Sequence, residues 1–359
     1  MRWISMLVIV FAMSNRVGAQ TQVSVKQLED DLFSQSVSKE TDSEIAHRLA
    51  LVQLSEQLTD SRLEEICARG KLGPKARDQL GLLAILSVFE PPPSAELDLG
   101  HAPDLDEQRR IMDLARGFTA TSVHLLPDFM AIRTTQAFLN MDAGLQSAGQ
   151  YQSQVTFRSG AEVPVDRGTA LGSGSPSSMG LETSGEFGPL QAMVLKDSVN
   201  GTILWSRWQS GPDQKRFAVF RYSVPESASH ASLDVCCYFA SLEDGEMTGY
   251  PPHYPQSKRF RAKPAYHGEL HVDPSTGAIS RITLEDELNA DSPVRVARIS
   301  VQYGSIEIGG KSYVCPIHSV AAAEFYDPRV AATRERFVNV VHFSNYHKFG
   351  STARIIDAR

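Results

Sequence analysis

The residues best suited to metal chemistry lie in one short run, His267-Gly268-Glu269-Leu270-His271. On a β-strand, residues two apart share a face, so His267, Glu269 and His271 line up, with Asp273 next in the row. Imidazole and carboxylate together make a zinc donor set. Successive same-face side chains stand ~7 Å apart, too far for several to ligate one ion without donors from elsewhere. The opposite parity carries Tyr266, Leu270 and Val272, the pattern of an ordinary half-buried strand, so a solvated polar face is the expected role of the row. His318, His342 and His347 have no ligand spacing and read as polar or core positions. No metal and no cofactor is expected.

Other chemistry is weaker. Gly172-Ser173-Gly174-Ser175 lacks the order of a nucleophile elbow and the strand-to-helix context that such a turn needs. It also lacks the Lys-Ser/Thr of a phosphate loop, so it reads as a flexible loop. Trp205 and Trp208, with Phe217 and Phe220, could line an apolar pocket, but aromatics of this size are expected in the core. Lys258, Arg259, Arg261 and Lys263 form a small basic cluster, expected as a solvated loop charge run. Asn200-Gly201-Thr202 matches a glycosylation sequon.

The four cysteines are Cys67, Cys236, Cys237 and Cys315. There is no C-x-x-C, which removes support for a thioredoxin-like role. Adjacent strand residues point to opposite faces, so one of Cys236 and Cys237 can meet a given partner. A bridge from Cys315 to one of them is expected, with Cys237 preferred because it shares parity with Leu233, Val235 and Phe239. A vicinal bridge and free buried thiols are the alternatives.

These residues need elements to position them. Residues 25–89 have helical periodicity, with a capping-box spacing at Thr41 to Glu44 and a second start at 61–64. Gly73-Pro74 punctuates a third short helix, and Pro91-Pro92-Pro93 stops it. This predicts a small helical hairpin module over 20–90 and a stiff proline-bearing linker over 91–103. An amphipathic helix follows over 104–126, with Asp104 and Glu107 at its start. The period then changes to that of strands, at 129–138, 152–158, 192–196, 216–224, 233–239, 266–273, 278–288, 294–303, 313–322 and 337–343. Asp273 to Gly277 and Gly309-Gly310 are the clearest hairpin loops. The stretches 168–180 and 244–264 are longer connections, expected as lids or mobile loops. The pattern predicts an α+β chain in which 104–359 forms one extended antiparallel sheet covered by a helix.

The first residues suggest where such a chain works. Arg2, an apolar run from Trp3 to Met13 and the closing Val17-Gly18-Ala19 form a cleavable export leader over 1–19. The run is short of the ~20 apolar residues that a spanning helix needs, and no Cys follows the cut. The expected mature chain is soluble, periplasmic or extracellular, without a transmembrane span. Removing the leader takes the net charge from −7 to −9, because Arg2 and Arg16 leave and no acid does. That acidity argues against a nucleic-acid partner.

Asp273, Thr276, Gly277 and Arg281 sit as in the D-x-x-T-G-x-x-x-R hairpin of periplasmic half-barrel proteins, and the β-rich part resembles the LolA and RseB families. The resemblance covers about residues 104–359 and implies a concave apolar face that holds lipid, acyl chains or a partner segment. Over its whole length the chain is similar to a family of secreted proteins from acidobacterial-type genomes. That likeness rests on Leu126-Pro127-Asp128-Phe129, Arg133-Thr134-Thr135, Gly185-Glu186-Phe187-Gly188-Pro189, Cys236-Cys237, Pro264-Ala265-Tyr266-His267-Gly268, Tyr303-Gly304, Gly309-Gly310-Lys311 and the run from Phe343 to Gly350. It brings no activity with it. The expected function is non-enzymatic: binding of a lipid, acyl chain or envelope protein on a curved sheet. The alternatives are an interaction module using the N-terminal helices and, less favoured, a metal-dependent enzyme at His267, Glu269 and His271.

Overall fold

Capping chemistry shapes the N-terminal module. The computed structural model describes residues 21–34, 40–97, 100–141, 144–163, 181–210, 215–239, 257–326 and 334–348. The expected leader, the serine run within 168–180 and residues 244–256 lie outside them, as do the side chains of Cys236, Cys237, Lys258 and Arg259. Four helices appear where a hairpin was expected: α1 (Val25–Leu32), α2 (Asp42–Ala50), α3 (Asp60–Gly70) and α4 (Pro74–Leu86). Ser24 with Gln27, and Thr41 with Glu44, close reciprocal capping boxes on α1 and α2. The Asp42 carboxylate reaches the backbone N–H groups of Lys75 at 3.0 Å and Ala76 at 2.9 Å. It therefore caps α4, whose own N-cap, Gly73, has no side chain to do so. Leu28, Leu49, Ile66 and Leu80 form the core of this module. A short parallel pair, β1 (Thr21–Val23) with β2 (Val52–Leu54), ties its start to its middle.

The covering helix α5 (Leu105–Leu125) begins as the sequence predicts, with Asp104 accepting the Glu107 N–H at 2.8 Å. Then come β3 (Phe129–Met141), β4 (Gly144–Arg158), β5 (Ala161–Val163), α6 (Pro189–Asp197), β6 (Thr202–Ser210) and β7 (Arg216–Val224). A separate two-stranded ribbon follows, β8 (Leu233–Phe239) with β9 (Ser257–Ala262). The chain continues through β10 (Ala265–Val272), β11 (Ile279–Glu287), β12 (Val294–Ile308), β13 (Lys311–Tyr326) and β14 (Arg334–Lys348). Ten strands form one open antiparallel sheet in the order β5-β4-β3-β14-β13-β12-β11-β10-β7-β6. The chain is thus α+β, with a large uncovered-edge sheet and several helices.

Several expectations need correction. The strand predicted at 192–196 lies inside helix α6, because Pro189 opens a helix and Leu190, Val194 and Leu195 then share one buried face. The prolines of 244–264 do not prevent a strand at β9, since they flank it. Strand β6 has no clean alternation because a bulge between Trp205 and Arg207 breaks its period.

Alternation gives the sheet two different faces. One carries Tyr266, Leu270, Val272, Phe220, Ile282 and Val301, and α5 and α6 cover it with Ile111, Met112, Ala115, Leu190 and Val194. Its other half holds Phe129, Phe157, Val341 and Phe343, closed by Phe187. On the opposite face, Val320, Ala322, Val338 and Val340 are covered by the end of α4 and the turn after it, through Leu82, Leu86 and Phe89. Arg298 lies 4.3 Å from the Phe89 ring centre and 3.6 Å from Glu90, and Arg281 donates to the Val88 carbonyl. The Gln57 N–H donates to Pro91 at 2.8 Å, so the proline segment packs along the module. No described helix is long and apolar enough to cross a membrane.

Both predicted hairpin turns form. Gly309 and Gly310, at φ of 61° and 78°, join Ile308 to Lys311 in a two-residue loop. Gly277, at φ 78°, lies against α5, where a Cβ would run into the Leu114 backbone. Gly277→Val therefore meets both strain and a clash, and is expected to destabilise the fold by about 2–4 kcal/mol. Urea unfolding followed by circular dichroism checks this; a loss below about 0.5 kcal/mol would show that the turn and α5 do not depend on each other.

Candidate functional site

The α4-docked face concentrates the charged residues that the sequence singled out. Glu269 is its hub. Arg207 donates two hydrogen bonds of 2.7 Å to its two carboxylate oxygens, and Arg221 adds one at 3.2 Å. The bulge in β6 is what aims Arg207 this way, while Trp205 and Trp208 turn together to the other face at 4.9 Å between rings. Both tryptophans pack against the core cluster, as aromatic core residues should. Burial pushes Glu269 upward, but His271 and Arg207 outweigh it and hold the carboxyl well below the usual range.

The three predicted donors go to different partners. His267 is exposed at the outer end, with Nδ1 3.2 Å from Glu287. His271 is buried at 4% exposure rather than solvated, with Nε2 3.6 Å from Glu269 Oε2, beyond hydrogen-bond length. Burial pushes its imidazole down to about 4, with Glu269 opposing. Two guanidiniums on one carboxylate make an ion-pair hub, and their charge repels a cation at the same oxygens. Asp273 turns away to Lys215, at 2.7 Å, and to the Ser275 hydroxyl and N–H. Among the described residues, no group of three His, Cys, Asp or Glu side chains is placed to hold a metal.

Strand register assembles a polar line that sequence spacing conceals. His271, Arg281, Gln302, His318, His342 and Thr134 are successive cross-strand partners from β10 to β3. The His318 and His342 rings lie 4.7 Å apart. Twenty-odd residues separate them in the chain, and no sequence signal fixes the β13–β14 register that makes them neighbours.

On the α5-covered face, Asp197 is fully buried and accepts from the Tyr266 hydroxyl and the His230 N–H, both at 2.8 Å. Its other oxygen is 2.6 Å from His230 Nδ1. A carboxylate-oriented imidazole can move a proton, yet His230 lines neither groove described below. Asp286, the cross-strand partner of Tyr266, has an oxygen without a hydrogen bond, and burial, with Glu285 adding to it, pushes its carboxyl up to about 7. Nearer β3, Arg133 meets the fully buried Glu186 at 3.2 Å and Glu162 at 3.4 Å. Asn339 adds a 2.7 Å bond to the Leu181 carbonyl. These contacts lay residues 181–188 across the sheet and seat Phe187 among Phe129, Phe157 and Phe343.

Cys315 and Cys67 carry free thiols. Cys315 is buried in the Phe187 cluster, where burial raises its thiol to about 12. Cys315 lies on β13, between β12 and β14, while Cys236 and Cys237, to which a bridge was expected, lie on β8 with side chains outside the described residues. In the basic cluster, Arg261 pairs with Asp234 at 3.2 Å.

Two grooves adjoin these elements. One, of about 760 Å³, runs along α5 beside the 273–277 turn, floored by Leu114, Gly117 and Phe118 and rimmed by Asp106, Arg109, Arg110 and Asp113. The other, of about 590 Å³, lies between Gln53 of the module and the sheet residues Arg295, Arg298, Glu324 and Arg336. No protein-family model matches the chain, and no curated protein or solved structure matches it.

Two of the shifted groups, Asp286 and His271, act in opposite senses on stability. Asp286 titrates near 7 when folded against ~3.9 unfolded, so the folded state binds the extra proton and stability falls as pH rises from 4 to 7. His271 titrates near 4 against ~6.5, so stability falls as pH drops through that window. Asp286→Asn is expected to gain of order 1 kcal/mol at pH 8 and nothing at pH 4. His271→Gln should flatten the acid limb. Urea midpoints at pH 4, 6 and 8 measure both; an Asp286→Asn gain independent of pH would refute the assignment.

Proposed function

We propose that this chain is an exported, non-enzymatic binding protein that holds a lipid or acyl chain in the groove along α5. The observation that carries this is the groove itself. It is an open surface groove of about 760 Å³, long enough to lay an acyl chain against an apolar floor with polar groups at the rim. Leu114 and Phe118 give it an apolar floor. Its rim carries both signs, with Arg109 paired to Asp106 and Arg110 to Glu107, so the floor rather than a charge supplies affinity. The half-barrel resemblance suggests a ligand on the sheet itself, but among the described residues that face is filled by α5, α6 and Phe187. The leader pattern supports export. The N-terminal helices are a weaker docking candidate, since Leu82, Leu86 and Phe89 are already spent against the sheet.

Gly117 offers a direct test, because a side chain there would enter open space. Gly117→Trp should fill the groove without disturbing the fold. The mature protein is expected to bind a fluorescent fatty-acid probe in the micromolar range, and Gly117→Trp to weaken it at least about tenfold. An absence of probe binding by the unsubstituted protein, or equal binding by the variant, would refute this reading.

A further inference from the structure

We propose that His318 and His342 form a two-imidazole site for a borderline divalent metal ion, of the Zn²⁺ or Cu²⁺ class, with solvent completing the coordination. The two residues are direct partners on antiparallel β13 and β14, and side chains so placed start ~5 Å apart at Cβ and project from the same face. Their ring centres are 4.7 Å apart with the planes inclined at 49°. A metal ~2.1 Å from one nitrogen of each ring would set the ring centres about 5 Å apart. The observed separation is close to that value, so a shared ion would need the ring nitrogens turned toward it and little change in the distance between rings.

Among the described residues, neither ring makes a hydrogen bond or an ion pair that ligation would have to break. His342 is exposed and His318 half-buried, which leaves one side open for ion and water. At pH 7 an ordinary imidazole is mostly neutral, which is the form that ligates a metal. Gln302 beside His318 and Thr134 beside His342 supply neutral oxygens at the flanks. Arg281 opposes a cation, although its guanidinium is directed to the Val88 carbonyl. Two protein ligands and a nearby positive charge predict micromolar rather than nanomolar affinity, with Cu²⁺ above Zn²⁺. This site is separate from the Glu269 hub, whose arginines exclude a metal, and it does not depend on the groove along α5.

Tag-free mature protein would be titrated with Zn²⁺ by calorimetry and with Cu²⁺ by electron paramagnetic resonance. One saturable equivalent is expected, with nitrogen hyperfine structure from two imidazoles. His342→Gln, an exposed change that spares the fold, and His318→Gln should each weaken binding at least about tenfold, while His267→Gln leaves it unchanged. No saturable binding up to about 1 mM Zn²⁺, or full affinity in His342→Gln, would overturn the proposal.

Discussion

An open sheet of ten strands has to bury apolar side chains on both of its faces, and much of this structure follows from how that is done. Each square ångström of apolar surface left in water costs roughly 25 cal/mol, so no face can be left bare over a wide area. Helices α5 and α6 and the Phe187 segment cover one face. The other needs cover only at its centre, around Val320, Ala322, Val338 and Val340, and the end of α4 provides it. The N-terminal module is therefore part of the sheet's core. Docking it draws Arg281 and Arg298 against Val88, Phe89 and Glu90.

Outside that apolar centre the same face is free to be polar, and there the low dielectric decides which charges persist. Glu269 stays ionised because Arg207 grips it bidentately. His271 and His318 avoid the cost of burial by remaining neutral. On the other face Asp197 is buried whole, yet three donated contacts from Tyr266 and His230 satisfy it. These buried ionisable groups are settled by specific partners or by loss of charge, and Asp286, with one oxygen unbonded, is pushed toward the second route.

Much of the fold was legible in the sequence because local signals dominate it. The Thr41 cap, the Asp104 start and the Gly309-Gly310 turn are each written within four residues, and all appear where expected. Signals failed where a neighbour decided the outcome. The apolar run after Pro189 fits a strand or a helix equally, and its packing against Ile111 and Met112 selects the helix. Asp42 caps a helix thirty-odd residues away, which no local pattern announces. The candidate donors fared likewise: the His267 row was visible as spacing, while the His318–His342 pair exists only through register.

Strand order adds a consequence about time. The N-terminal strands β3, β4 and β5 join the rest of the sheet only through β14, whose partners on its two sides are β3 and β13. The hairpin of β12 and β13 can zip locally from its two-residue loop, but β3 must wait until some two hundred further residues have been made. Pairing across such a separation is slow, and an unpaired strand is exposed to wrong partners meanwhile. A chain with this wiring completes its large sheet only after its last strand has been made, so the late strand β14 decides when β3, β4 and β5 are joined to the rest.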